Sequence, residues 1–433
     1  MPPLEPGTQT PDQSPGSAAP RGWSRAAWIG VLTVCGAAVI VGASSLAYRV
    51  SHGESDFIGV IRGVAEARQA GRFGAAHASP YPPSAYALWH VFTLLPDLVA
   101  AGVWSVLATL MYVVTGWWLA RYAVGLQPQD RAPVFFVAFA LTAPWIASDL
   151  AQGNTSSLVA FSAAGSWVLA ARNRPWLAGL VLGLGLVMKP LPLVILFYFV
   201  YKRMWRVVAT TVVCVAALVS LPAMLLYGPA EALRGWQLWH QAIGQNASPL
   251  NTVWLNVPEI NYHNSSAVAA VMRVFGDVRA HESGYRVTLV QLPRWGVAAI
   301  WYALSAVVVL PVLWVTRRPA ARLSRERQAE ELALYVVLML FFSPELLSYY
   351  LSITLVPVTV LIGRAVRVAQ REGRREWATA GLVAGYAASG LHMASRFLRA
   401  VGGSGLALLI LWFALLRGLA RSDEADCTPP PIG

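Results

Sequence analysis

Long apolar runs, each closed by a short arginine-bearing turn, recur from about residue 26 to about residue 420. A hydrocarbon core about 30 Å thick takes roughly 20 apolar residues of helix to cross. The pattern therefore predicts an all-α, polytopic helical membrane protein with about twelve transmembrane helices. Four apolar segments lie between residues 84 and 171 where an odd number of crossings is required. The shortest, Ser84 to Leu95, is closed by Pro96 and Asp97 and is expected to be re-entrant or surface-lying. Residues 1–25 are rich in Pro, Gly and Ser and read as a disordered cytoplasmic tail. Residues 26–420 form a single integral-membrane domain with external loops at 49–83 and 227–293, and residues 421–433 a second cytoplasmic tail.

Charge orients this arrangement. Arg21 and Arg25 precede the first run, so the positive-inside rule keeps the N-terminus cytoplasmic and makes that run an uncleaved signal anchor. Arg172 and Arg174, Lys202 to Arg206, Arg317 to Arg327, Arg364 to Arg375, and Arg417 with Arg421 mark the later cytoplasmic turns, and both termini come out inside.

Of the 433 residues, 56% are hydrophobic and 12% charged, about half the usual charged share, which excludes an ordinary soluble fold. A net charge of +12 would suggest nucleic acid in a soluble chain. Here the positive clusters sit at turns facing the anionic inner leaflet, so the expected partners are membrane lipids and not nucleic acid. Cys35, Cys214 and Cys427 are too scattered for a disulfide framework or a cysteine metal site. Walker, dinucleotide and zinc-protease motifs are absent, and no cofactor or metal is expected. No fixed-period repeat supports a duplicated transporter.

Ionisable residues concentrate in the first external loop, from His52 to His77. Ser55 or Asp56 can cap a short helix that gathers Phe57, Ile61 and Val64 on one face and sets Arg62 and Glu66 as an i, i+4 pair on the other. Asp56 would then stand at the membrane surface, either as a plain cap or as a reactive carboxylate. In extended backbone, His52, Glu54 and Asp56 would share a face as a metal ligand set, a third possibility. Lys189 lies between two short apolar halves, where a lysine is costly unless it is paired, functional or reaching for headgroups. Gln152 and Asn154 sit on an external turn that suits either hydroxyl recognition or simple turn geometry. The 227–293 loop is rich in Trp and Tyr, which stack on sugars and also seek the bilayer interface.

Asp56 after the first helix, the Gly71 to Phe73 turn and Tyr81-Pro82-Pro83 together resemble the opening of polyprenyl-phosphate-sugar-dependent glycosyltransferases of the C superfamily. The nearer likeness is to glycosyltransferase family eighty-seven, which includes actinobacterial mannosyltransferases of phosphatidylinositol mannoside synthesis. Gln152-Gly153-Asn154 is similar to the family's Gly-Gln-x-Asn turn with two residues transposed, and Met188-Lys189-Pro190 followed by Pro192 to its Lys-x-x-Pro signature. His263-Asn264-Ser265-Ser266 with Arg273 resembles its Asn-Gln-Ser and Arg pair. Ser343-Pro344 with Ser348-Tyr349-Tyr350 resembles a Ser-Pro-x-Ser-Trp-x-His stretch in which tyrosine replaces histidine.

The resemblance implies an inverting enzyme that moves a sugar, mannose being the expected one, from a polyprenyl monophosphate donor to a glycolipid or polysaccharide acceptor on the external face. Asp56 is then the base, since a single carboxylate suits direct displacement whereas hydrolysis ordinarily takes a pair. Lys189, Arg62, Gln152, Asn154 and Arg273 would hold the donor phosphate or sugar, and His263, Asn264, Tyr81 and Tyr349 would contact sugar or acceptor. A flippase of lipid-linked sugars and a polysaccharide polymerase or ligase are the competing readings.

Overall fold

Ser24 and Ser55 each accept a hydrogen bond from the backbone N–H three residues on, at 3.2 and 3.1 Å, and so start helices α1 (Arg25–His52) and α2 (Asp56–Ala70). The computed structural model describes residues 24–71, 82–243, 259–261, 263–281, 286–372, 395–427 and five positions between 381 and 390. Two short strands, Glu259–Asn261 and Arg279–His281, pair in parallel, and the rest of the described regular structure is helical.

After α2 come α3 (Pro83–Trp89) with a 3-10 turn (His90–Leu94), α4 (Asp97–Trp118), which runs on as a π-turn to Ala123, α5 (Pro128–Gln152), α6 (Ser156–Ala171), α7 (Pro175–Met188) and α8 (Leu193–Tyr201). The chain continues through α9 (Trp205–Tyr227), α10 (Pro229–Ile243), α11 (Ala267–Phe275), α12 (Arg294–Val315), α13 (Arg325–Phe341), a 3-10 segment (Ser348–Thr354) leading into α14 (Leu355–Glu372), α15 (Arg396–Ala400) and α16 (Gly403–Cys427). Seven of these segments are long and apolar enough to cross a membrane: Arg25–His52, Asp97–Ala123, Pro128–Gln152, Trp205–Tyr227, Arg294–Val315, Ser348–Arg371 and Gly403–Ala420. The protein is thus a multi-pass helical membrane protein. α6, α7, α8 and α13 are shorter, at 16, 14, 9 and 17 residues. The α3 segment with its 3-10 turn is only about 18 Å long at 1.5 Å per residue, too short to cross.

Lipid-suited surface and packed centre are well separated. Ile40, Leu225, Leu310 and Trp314 are more than half exposed on α1, α9 and α12, as expected of faces turned to lipid. α13 and the segment Ser348–Arg371 are largely buried and form the centre. Close helix approach relies on small residues, the usual device where hydrophobic burial cannot drive helices together. A Cβ on Gly42 of α1 would sit 2.7 Å from Leu150 Cβ of α5, so these helices meet backbone to backbone near the end that carries Asp56.

The opposite end is held by buried ions. Lys202 pairs with Glu331 at 2.5 Å and donates to the carbonyls of Thr316 and Arg318. Arg327 donates to the carbonyls of Leu419 and Val315, and Glu330 takes Arg364 and Arg367 at 2.7 and 2.6 Å. The sequence reading set these clusters against lipid headgroups. Instead Lys202, Arg327 and Arg364 turn inward, because the C-terminal carbonyls of α12 need donors and the glutamates of α13 offset the charge.

Candidate active site

Asp56 reaches its position through its neighbours. Ser55 takes the capping role, which leaves Asp56 in the first turn of α2, where the helix dipole favours a carboxylate. Next to it, Phe57 is buried among Trp89, Phe92 and Trp104, with ring centroids 5.6, 5.9 and 6.4 Å away, so α2 is pinned to α3 and α4. On the other side Gly153 closes α5 in the left-handed conformation, at φ 65°. A Cβ there would fall 2.5 Å from Phe57 Cβ, so only glycine lets α2 come this close to the end of α5.

That approach assembles a polar floor beneath an exposed carboxylate. Asn154 donates from Nδ2 to Asp56 Oδ2 at 3.1 Å, and the Tyr349 hydroxyl donates to the same oxygen at 3.3 Å. Lys189, at the turn between α7 and α8, donates to Asn154 Oδ1 at 2.6 Å and to the Tyr350 hydroxyl at 2.9 Å. Its ammonium also lies over the Tyr350 ring, 4.3 Å from the centroid. The Thr155 N–H donates to Asn154 Oδ1 as well, so the amide is orientated with its carbonyl toward the cation and its NH2 toward the carboxylate. Asn154, Lys189, Tyr349 and Tyr350 are buried while Asp56 is exposed.

A second layer lies behind. Asp149, fully buried in the last turn of α5, accepts from the Tyr112 hydroxyl at 2.8 Å. That hydroxyl is 2.6 Å from Ser352 Oγ, which donates to the Tyr349 carbonyl. Burial pulls the Lys189 ammonium down to about 8, and the carboxylates of Asp149, Asp56 and Glu345 oppose that fall. Glu345 stands in the loop between α13 and the Ser348–Thr354 turn. Burial raises its carboxyl, Lys189 draws it down and Asp56 pushes it up.

The remaining candidates are placed elsewhere. Arg62 is exposed on α2 with its guanidinium against Gly53, and Gln152 is half-buried at the end of α5. Arg273 is not a phosphate ligand in this arrangement: it is fully buried and donates to the carbonyls of Ala400, Ile260, Asn261 and Asn264. Burial lowers its guanidinium to about 10. Asn264 likewise serves the backbone, donating to the Pro344 carbonyl and accepting from the Ser266 and Leu346 N–H groups, so it anchors the Glu345 loop. His263 is exposed, with Nδ1 3.0 Å from an Arg399 nitrogen. Tyr81 and Phe73 lie outside the described residues, as do Trp254, Tyr262 and Tyr285 of the large loop.

The extended ligand strand considered for His52, Glu54 and Asp56 does not form. His52 ends α1, Gly53 turns left-handed and Asp56 begins α2. Among the described residues no group of three His, Cys, Asp or Glu side chains is placed to hold a metal.

Asp149, Tyr112, Ser352 and Glu345 were not singled out from sequence. Asp149 had a readable signal, being the one charged residue between Arg131 and Arg172. The others had none, since their partners are distant in the chain.

The profile of glycosyltransferase family 87 matches residues 80–344, a stretch that holds Asn154 and Lys189 but not Asp56 or Tyr349. Over 155 residues the chain is 31% identical to the polyprenol-phosphate-mannose-dependent alpha-(1-2)-phosphatidylinositol pentamannoside mannosyltransferase of Mycolicibacterium smegmatis, covering 35% of this chain and 36% of that protein. Over 255 residues it is 26% identical to the polyprenol-phosphate-mannose-dependent alpha-(1-2)-phosphatidylinositol mannoside mannosyltransferase of Mycobacterium tuberculosis, covering 55% and 52%. The matches thus span about a third to a half of the length of these curated relatives. No solved structure matches the chain.

Proposed function

The chain belongs to glycosyltransferase family 87, and from that membership and the Asp56 site we propose an inverting transferase that takes mannose from a polyprenyl monophosphate. The acceptor is a hydroxyl of a glycolipid or polysaccharide. The observation that carries this reading is an exposed carboxylate standing on a buried floor with a lysine one amide away. The relatives' printed names, which specify polyprenol-phosphate-mannose, support the donor.

In this mechanism the acceptor oxygen attacks the anomeric carbon as the bond from that carbon to the phosphate oxygen breaks. The acceptor proton passes to Asp56, and the polyprenyl phosphate leaves with its negative charge. Asn154 and Tyr349 both bond Oδ2 of Asp56, which keeps Oδ1 for the proton. Lys189 meets the departing phosphate, a charge that grows in the transition state and is best stabilised by a preorganised cation. Tyr350 holds that ammonium in place. Gln152 and Arg62 flank the site as weaker donors to sugar or phosphate.

We place this site on the external face of a cell membrane, with about twelve spans and both termini cytoplasmic. Twelve is the number that the apolar runs of the sequence give, two of them within residues 377–420. The single domain is drawn over 26–420, between the two tails.

The test is Asp56→Asn, with accumulation and thermal stability matched to wild type, supplied with polyprenyl-phosphate mannose and a mixed acceptor-lipid extract. A general base contributes about 10²-fold or more, so transfer should fall by at least that much. Unchanged transfer would overturn the assignment, and movement of the donor across vesicles without transfer would favour the transporter reading.

A further inference from the structure

Asp149 takes no part in the proposed displacement, yet a carboxylate wholly buried among apolar helices is costly unless something compensates it. Its surroundings connect it to each part of the donor site. Its backbone carbonyl accepts from the N–H groups of Gly153 and Asn154, and so shapes the turn that carries Asn154. Its side chain takes the Tyr112 hydroxyl, which abuts Ser352, and Ser352 holds the carbonyl between Tyr349 and Tyr350. These are the two tyrosines that touch Asp56 and Lys189.

We infer that Asp149 is the positioning residue for donor phosphate, a buried counter-charge that, through the Asn154 turn and the two tyrosines, holds Lys189 in place beneath the leaving group. The inference rests on the proposed role of Lys189. Besides Asp149 on α5, the groups that face Lys189 are Asp56 on α2, Glu345 in the loop after α13 and Tyr350 in the 3-10 segment. Asp56 is exposed to water, which screens its pull, and burial raises the Glu345 carboxyl toward its neutral form. Asp149 is screened from water and acts at closer to full strength. Lys189 in turn acts on phosphate, whereas Asp149 touches no reactant.

The variant Asp149→Asn keeps an oxygen for the Tyr112 hydroxyl and removes the charge. Binding of a polyprenyl phosphate and transfer from polyprenyl-phosphate mannose are measured on the full-length protein in detergent between pH 6 and pH 9. The expected result is a donor KM close to wild type at pH 6 and about tenfold higher at pH 8, with the alkaline limb moved down by about one pH unit. Acceptor KM should not move. A mere clip between α4, α5 and the 3-10 segment predicts instead a fall in kcat at every pH with an unshifted limb, and that outcome overturns the inference.

If Asp149→Asn alone does not accumulate, the neutral pair Asp149→Asn with Lys189→Gln removes the uncompensated cation. Its donor KM should then equal that of Lys189→Gln alone, and additive losses overturn the pairing. A wild-type protein that neither binds the lipid phosphate nor transfers mannose defeats the proposed function itself. Wild-type binding with an unchanged profile in Asp149→Asn defeats only the role of Asp149.

Discussion

Lys189 carries the most sensitive chemistry at the scale of single residues. Burial has brought its ammonium down to about 8, so the charge is held below that pH and lost above it. Donor binding is therefore expected to weaken as pH rises through about 8, with little change in acceptor binding, and Lys189→Arg, which stays charged, should flatten that limb. A pH series of donor KM checks both. Asp56, Asn154 and Lys189 were legible in the sequence because each is a polar residue set at the edge of an apolar run, where composition alone marks it. Arg273 and Asn264 misled for a physical reason. Their partners are backbone carbonyls and N–H groups at 260–264, 344–346 and 400, and no side-chain pattern announces those contacts. Asp149 was visible as an intramembrane acid, but its partner Tyr112 lies 37 positions away, and Ser352 lies 240 positions beyond Tyr112.

At the scale of elements, the meeting of α2 with the end of α5 decides whether the site exists. The amphipathic face of α2 could be read in advance from Phe57, Ile61 and Val64, all of which are buried. The approach to Gly153 could not, because it needs α1 to dock on α5 through Gly42 first. Gly153→Ala places a Cβ on Phe57 and forces an L side chain into the left-handed region, which costs about 1–2 kcal/mol before any displacement. The expected outcome is a lower melting temperature in detergent and a loss of transfer larger than the stability change accounts for, since Asn154 moves away from Asp56. Gly71, also left-handed but with open space around it, is the control, and Gly71→Ala should lower stability without a comparable loss of transfer.

At the scale of the whole molecule, the bundle has one polar end for chemistry and one for cohesion. The hydrophobic pattern made the helical membrane class and the short α3 segment readable. It did not show that the arginines of the turns would fold inward, since a positive-inside signal and a buried ion network look alike in one dimension. Glu331 is central to the cohesive end, and Glu331→Gln leaves Lys202 and Arg327 buried with less compensation. Breaking such a pair costs about 3–5 kcal/mol. A thermal melt should show that loss while donor KM in the surviving folded fraction stays unchanged, because the site lies at the other end.

The chain has two lysines, Lys189 and Lys202, and α8 separates them. One is locked, fully buried, on Glu331, and the other, also buried, stands one amide from an exposed carboxylate with its ammonium drawn down by burial. Neither amine is open at the surface, but Lys189 lies beside the exposed Asp56 whereas Lys202 is enclosed by Glu331 and two carbonyls, so an acylating reagent that enters the site meets Lys189. Mild treatment with a small activated ester at pH 8 should tag Lys189 and spare Lys202 in a peptide mass map. Saturating polyprenyl phosphate should block the tag, which would make this amine a direct gauge of occupancy for screening inhibitors.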